Sequence, residues 1–197
     1  GAQAYPSKTK DYCNVDFSTG SVGLGGAMTI FSSFTQDYLK ENNLLKITES
    51  KMISIFGDAE LDEGNVYEAL LEGAKHNLKN CWWIIDYNRQ SLDGIIHGKL
   101  FEKIINLFKL MNWNVEILKY GTKLQNLNNS KSGKKILDWI DQCPNDLFSA
   151  LTFQGGKEWR KTLNLNFAKD IEVLSFLKDI DDEDLHNLMT NLAGHDL

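Results

Sequence analysis

Proline is nearly absent from the 197 residues, with only Pro6 and Pro144, so collagen-like and proline-rich linker architectures are excluded. Cysteine is scarce too. Cys13, Cys81 and Cys143 lie far apart, the count is odd, and no C-x-x-C occurs. That pattern argues against a disulfide framework or a structural zinc site, and a reducing, cytoplasmic compartment is expected. Positive charge is not in excess. Lys and Arg number 21 against 27 Asp and Glu, a net charge of −6. Non-specific nucleic-acid binding needs surplus cations to displace counterions, so no nucleic-acid partner is expected. No apolar run approaches the ~20 residues of a membrane-spanning helix, so no membrane partner is expected either. There is no initiating Met and no visible signal peptide, and the chain reads as a fragment of a longer protein. What is present is an ordinary globular balance, 42% hydrophobic and 24% charged. That much apolar surface can offset the ordering entropy of a folded domain.

The first 15 residues are polar and turn-rich and read as a loop or tail. Gly20, Gly23, Gly25 and Gly26 then crowd ahead of Ala27, Met28, Ile30, Phe31, Phe34 and Tyr38. That apolar spacing predicts a helix ending near Glu41-Asn42-Asn43, with Ser21 as its N-cap. Lys51–Phe56 reads as a buried strand closed by Gly57. An acidic loop, Asp58–Asn65, leads to a helix through Tyr67, Leu70, Leu71 and Ala74. Cys81–Tyr87 reads as a second buried strand, and 88–98 as a loop turned at Asp93-Gly94. A helix through Leu100, Ile104, Ile105, Phe108 and Met111 follows, then a third strand over Trp113–Tyr120. Strands and helices alternating in this way predict an α/β fold, a parallel sheet flanked by helices in three layers. This core is placed at 16–121. Residues 122–197 form an α-rich extension of the same single domain, with 126–133 read as a surface loop.

Two loops carry the chemistry. One strand ends in Gly57-Asp58-Ala59-Glu60 and the next in Asn88-Arg89-Gln90. Ligands of open parallel sheets sit beyond the carboxyl ends of the strands. If the two strands are neighbours, Asp58 and Asn88 share one edge. A carboxylate, an amide oxygen and a backbone carbonyl suit magnesium, which takes further ligands from phosphates and water. The Gly20–Gly26 turn offers backbone N–H groups at a helix start, where those phosphates could lie. Taken singly these signals are weak, and the glycines match neither G-x-x-x-x-G-K-[ST] nor G-x-G-x-x-G. Most of Glu60, Asp62 and Glu63 are expected to be solvated. Trp82 and Trp83, on opposite faces of a strand, both read as core. His76 and His186 read as solvent-facing, His97 as a surface-loop residue, and Cys81 as packing.

The combination G-D-A-E-L-D-E-G-N followed by I-I-D-Y-N-R-Q-S-L-D-G resembles the thiamine diphosphate signature of transketolase-like enzymes, G-D-G and a later Asn. Within that superfamily the chain is most similar to the homodimeric pyruvate dehydrogenase, the decarboxylating first component of the bacterial complex. S-V-G-L-G-G at Ser21–Gly26 resembles that family's S-M-G-L-G-P. M-N-W-N-V at Met111–Val115 resembles its G-W-N-V, and N-L-A-G-H-D at Asn191–Asp196 its N-R-G-G-H-D. The resemblance runs from about Asp16 to the C-terminus. It implies thiamine diphosphate and magnesium as cofactors, and decarboxylation of a pyruvate-like 2-oxo acid with acyl transfer to a lipoyl carrier. By the same resemblance Asp58, Asn88 and the backbone carbonyl of Gln90 are the magnesium ligands. Gly57, Ala59 and Glu60 lie at the diphosphate, and Val22 and Gly23 lie where the glycine turn passes the cofactor. His195 matches a catalytic histidine on a loop that closes over the active centre.

The implied partners are a pyrimidine-binding domain outside these residues, a second copy of the enzyme, and a lipoyl acyltransferase. Without the pyrimidine-binding domain the chain alone is expected to be inactive. Ala59 departs from the family pattern, standing where G-D-G has its second glycine. If that position needed a positive φ or a close phosphate approach, alanine would cost about 1 kcal/mol or more. Two alternatives stay open. One is transketolase-type ketol transfer between sugar phosphates, which calls for a basic cluster that the proposed site does not show. The other is a degenerate, non-catalytic cofactor-fold domain, which Ala59 alone favours.

Overall fold

The computed structural model describes residues 7–10, 15–44, 46, 50–87, 90–91, 94–95 and 100–196. They fall into two compact units, Gly1–Val115 and Glu116–Leu197.

In the first unit, β1 (Met52–Gly57) and β2 (Cys81–Asp86) pair in parallel, from Met52 opposite Cys81 to Gly57 opposite Asp86. The crossover between them carries α2 (Gly64–Lys75). Both α2 and the long α1 (Leu24–Glu41) bury small and branched residues. Ala27 and Ile30 of α1 cluster with Ala69 of α2 and Cys81 of β2. α3 (Leu100–Leu110) adds Phe108 to a second cluster with Phe56, Leu61, Val66 and Leu70. Trp83 joins the two clusters. Its ring meets Phe56, Phe108 and Trp113 at centroid distances of 5.3, 5.9 and 5.0 Å. Its Nε1–H donates to Thr29 Oγ1 at 3.1 Å, so the polar end of the ring is also satisfied.

Several details differ from the sequence reading. Ser21 does not cap α1 with its side chain. Gly23 is the N-cap, and the Ser21 carbonyl accepts from the Leu24 N–H. Trp82 is exposed rather than core. It shares a sheet face with Ile53, Ile55 and Ile84, these four being 54, 51, 73 and 49% exposed. The helices lie against the other face, through Ser54, Phe56 and Trp83. Trp113–Lys119 is not a strand, and among the described residues the parallel sheet has two strands. The period-2 pattern there is real side-chain alternation, since Trp113 and Val115 pack on the Phe56 cluster while Asn114 and Glu116 are exposed. The backbone leaves α3 differently, however. Asn112 turns at φ 63 and the Trp113 N–H returns to the Phe108 carbonyl, a left-handed helix ending. Part of the expected 88–98 loop is a short hairpin, β3 (Gln90–Ser91) against β4 (Gly94–Ile95).

The second unit holds α4 (Thr122–Leu127), α5 (Lys131–Gln142), α6 (Asn145–Gln154), α7 (Gly156–Asn166), α8 (Ile171–Asp179) and α9 (Asp182–Met189). Their apolar stripes meet in one core around the fully buried Trp159, with Ile136, Ile140, Leu163, Leu177 and Leu185. Side chains cap three of them: Ser130 accepts from Gly133 N, Asp170 from Val173 N, and Asp181 from Asp184 N. The surface loop expected at 126–133 shrinks to 128–130, because Leu124 and Leu127 are buried and make α4 part of the core. His186 is half-buried rather than solvent-facing, since its helix also buries Leu185, Leu188 and Met189.

Candidate active site

The carboxyl end of β1 and the glycine-rich turn meet at one place. Gly57 closes β1 opposite Asp86, and Asp58 opens a 3-10 turn, Asp58–Asp62. Asp58 is 4% exposed. A carboxylate so enclosed is stabilised by hydrogen bonds or by a bound cation. Two residues on, the Glu60 carboxylate reaches two backbone amides. Oε2 accepts from Gly23 N–H at 2.8 Å and Oε1 from Gly57 N–H at 3.2 Å. Gly23 must be glycine. Its φ is +76°, and a Cβ there would lie 2.9 Å from Glu63 Cβ and Val66 Cγ2. The turn is therefore pressed onto the start of α2.

Of the residues named from the sequence, the structure brings Gly23, Gly57, Asp58, Ala59 and Glu60 together. Val22, half-buried, precedes Gly23 in the same turn. Gln90 lies on β3, which runs beside the Asp58–Asp62 turn. Asn88 and His97 lie outside the described residues. His195 belongs to the second unit, in the 3-10 turn Ala193–His195. Ala59 carries no backbone penalty. Among the described residues the non-glycine positive φ values belong to Asn43, Asn77 and Asn112, so Ala59 adopts its turn without the left-handed strain that would have favoured glycine.

Around this edge the charges are mostly acidic. Burial, reinforced by the Asp62 charge, pushes the Tyr67 phenol up from its ordinary value. The residues fit a hard cation with a phosphate ligand. The set is one buried carboxylate at a strand end, the β3 backbone at Gln90 beside it, and a glycine turn at a helix start. Among the described residues no three His, Cys, Asp or Glu side chains cluster as a metal site. The expected ligand set contains only one such side chain, so that finding does not oppose it.

Residues 4–136, more than half of the chain, match the model described as the transketolase thiamine diphosphate-binding domain. The chain belongs to that family. Curated relatives of this thiamine diphosphate-binding domain include proteins named pyruvate dehydrogenase E1 component. The one from Buchnera aphidicola subsp. Baizongia pistaciae is 28% identical over 182 residues, 91% of this chain and 20% of the relative. Those from Cupriavidus necator and Escherichia coli are 27% and 25% identical over the same share of each chain. The chain thus spans about a fifth of the length of the curated relatives it matches.

Two features of the domain escaped the sequence reading. One is the role of Glu60 as an acceptor for Gly23 and Gly57. The signal was present, since an acid three residues after a turn-starting residue is the spacing at which a side chain reaches back to the backbone. The other surrounds His195. Asp196 Oδ2 accepts from the backbone N–H and the hydroxyl of Thr122, both at 2.5 Å. Asn191 Nδ2 donates to Asp196 Oδ1 at 3.1 Å, and Asn191 Oδ1 accepts from Lys123 N–H at 2.8 Å. The N-L-A-G-H-D segment thereby satisfies the orphan amides at the start of α4. These bonds hold the Asp196 carboxyl down at about 2, with the Thr122 hydroxyl first among the causes.

Proposed function

We propose that this chain is the diphosphate- and magnesium-binding part of a thiamine diphosphate-dependent 2-oxo acid dehydrogenase. It would act on a pyruvate-like acid and pass the acyl group to a lipoyl carrier. The observation that carries the reading is the buried Asp58 at the end of β1, joined through Glu60 to the glycine turn. Asp58, the Asn88 amide oxygen and the Gln90 carbonyl are assigned as the magnesium donors. Val22, Gly23, Gly57 and Ala59 are assigned to the walls of the diphosphate site. When bound, thiamine diphosphate supplies the electron sink for cleaving the bond between the carboxyl and the carbonyl carbon. His195 is proposed, on the resemblance alone, as a catalytic histidine of the full-length enzyme.

Two wider features belong to this proposal. The exposed face of Ile53, Ile55, Trp82 and Ile84 supports a three-layer sheet in the full-length protein, with further chain covering that face. A second copy is proposed as a partner, and exposed Leu24, Phe31 and Leu71 along α1 and α2 offer apolar surface for it. The pyrimidine-binding domain and the lipoyl acyltransferase complete the set of partners, and the chain alone is proposed to turn nothing over. A cytoplasmic setting fits this reading. Among the described residues no helix is long and apolar enough to cross a membrane.

Thiamine diphosphate titrated into the full-length protein tests the assignment. Binding that requires magnesium in the wild type and is lost in Asp58→Ala is expected. Unchanged affinity in the variant would remove Asp58 from the metal site.

A further inference from the structure

Glu60 is the residue whose observed contacts fit its expected role least. As a direct ligand of a diphosphate it would set one anion against another. The structure shows its two carboxylate oxygens turned to protein amides instead, Oε2 to Gly23 and Oε1 to Gly57. Those two amides belong to separate pieces of the site. Gly23 is the last residue of the glycine-rich turn before α1, and Gly57 is the residue before Asp58. A single carboxylate therefore ties the wall expected to face the phosphates to the strand end that presents the metal-binding carboxylate.

We propose that Glu60 is a positioning residue, a carboxylate clamp that fixes the spacing between the Gly23 turn and Asp58 and so pre-shapes the cofactor site. The clamp rests on the functional reading above for its cofactor, but not for its existence. Three physical points support it. Hydrogen bonds from neutral amides to an ionised carboxylate are about twice as strong as those to a neutral acceptor. Gly23 holds a left-handed backbone, φ +76°, at a point where a side chain would collide with Glu63 and Val66 at the start of α2, so the approach of the two pieces is close. The 3-10 turn fixes where Glu60 projects, because Leu61 anchors it in the core beside Phe56. The Gly23 N–H is spent on Glu60. Phosphate contact from this turn thus falls to the amides that follow it, at Gly25 and Gly26, which open α1 and lack intrahelical acceptors by helix geometry. The orientation of those amides depends on the clamp.

The test compares wild type, Glu60→Gln and Glu60→Ala in the full-length protein with two independent readouts. The first is hydrogen exchange without cofactor in peptides spanning 21–26 and 57–61, with 81–86 as control. The second is thiamine diphosphate affinity in saturating magnesium. Glu60→Gln keeps the size but replaces one acceptor oxygen by a donor. Exchange in both peptides is expected to rise with the control unchanged. Affinity is expected to fall about tenfold in Glu60→Ala, as for loss of a charge-assisted hydrogen bond, and less in Glu60→Gln. If Glu60→Ala does not fold, Glu60→Gln decides alone. Unchanged exchange at 21–26 and 57–61 overturns the clamp. Raised exchange with unchanged affinity overturns its role in shaping the site. A wild type that binds no thiamine diphosphate overturns the functional reading and the cofactor half of this proposal, while the exchange data still decide the clamp.

Discussion

Asp196 holds Thr122 twice, through its backbone N–H and through its hydroxyl, across 74 positions of sequence. The carboxylate therefore shares with Asn191 the free amides at the start of α4, and the segment that carries His195 is anchored at both ends: Asp196 on one side, and the Tyr120–Leu192 bridge on the other. A pH dependence follows. The folded carboxyl titrates at about 2, below its ordinary 3.8. A depressed acid contributes stability that is fully present above the unfolded value and is lost as pH falls through the folded one. Unfolding midpoints should therefore fall between about pH 4 and pH 2, and Asp196→Asn should flatten that part of the profile. A profile that Asp196→Asn leaves unaltered would contradict that anchoring.

Gly121 and Asn191 pack too closely for any larger residue. A Cβ on Gly121 would lie 2.5 Å from Asn191 Oδ1, an atom already held by the Lys123 N–H. Gly121→Ala is expected to cost roughly 1–3 kcal/mol by overpacking. The same change in an Asn191→Ala background should cost less, because the clashing atom is gone. Thermal unfolding of the two single variants and the double variant would measure the coupling, and strict additivity would deny it.

The open sheet face gives a third prediction. Ile55 is 73% exposed. Substituting a residue that stays exposed changes stability by no more than about 0.5 kcal/mol. On the three-layer proposal, Ile55→Asp in the full-length protein should instead cost more than about 2 kcal/mol, the penalty of burying an unpaired charge. Urea denaturation measures the difference. A near-neutral result would mean that the face remains open to water.

Much of this was legible in the residues. The runs read as strands, Lys51–Phe56 and Cys81–Tyr87, form a parallel pair over Met52–Gly57 and Cys81–Asp86, and the turn motif G-D-A-E sits at the strand end where the pattern placed it. The failures have physical causes. Trp113 and Val115 alternate like a strand because they pack on one surface, but a ladder needs a partner edge, which a single sequence window does not contain. Trp82 has the composition of a core residue, yet burial is decided by what covers the face. Polar residues hid a helix over Thr122–Leu127, because Leu124 and Leu127 alone carry its buried stripe. The role of Glu60 was hidden for a similar reason. An acidic run reads as a solvated loop until the fold brings the Gly23 amide, 37 positions away, against one of its members.

In the proposed enzyme, Asp58 serves a thiamine diphosphate site at which a 2-oxo acid is decarboxylated. Carbon dioxide release from carboxyl-labelled pyruvate, with magnesium and thiamine diphosphate, tests it directly in the full-length protein. Wild type should release label and Asp58→Ala should release none while keeping its melting temperature. No release from the wild type would contradict the proposed decarboxylation, and undiminished release from Asp58→Ala would contradict the role of Asp58 in it.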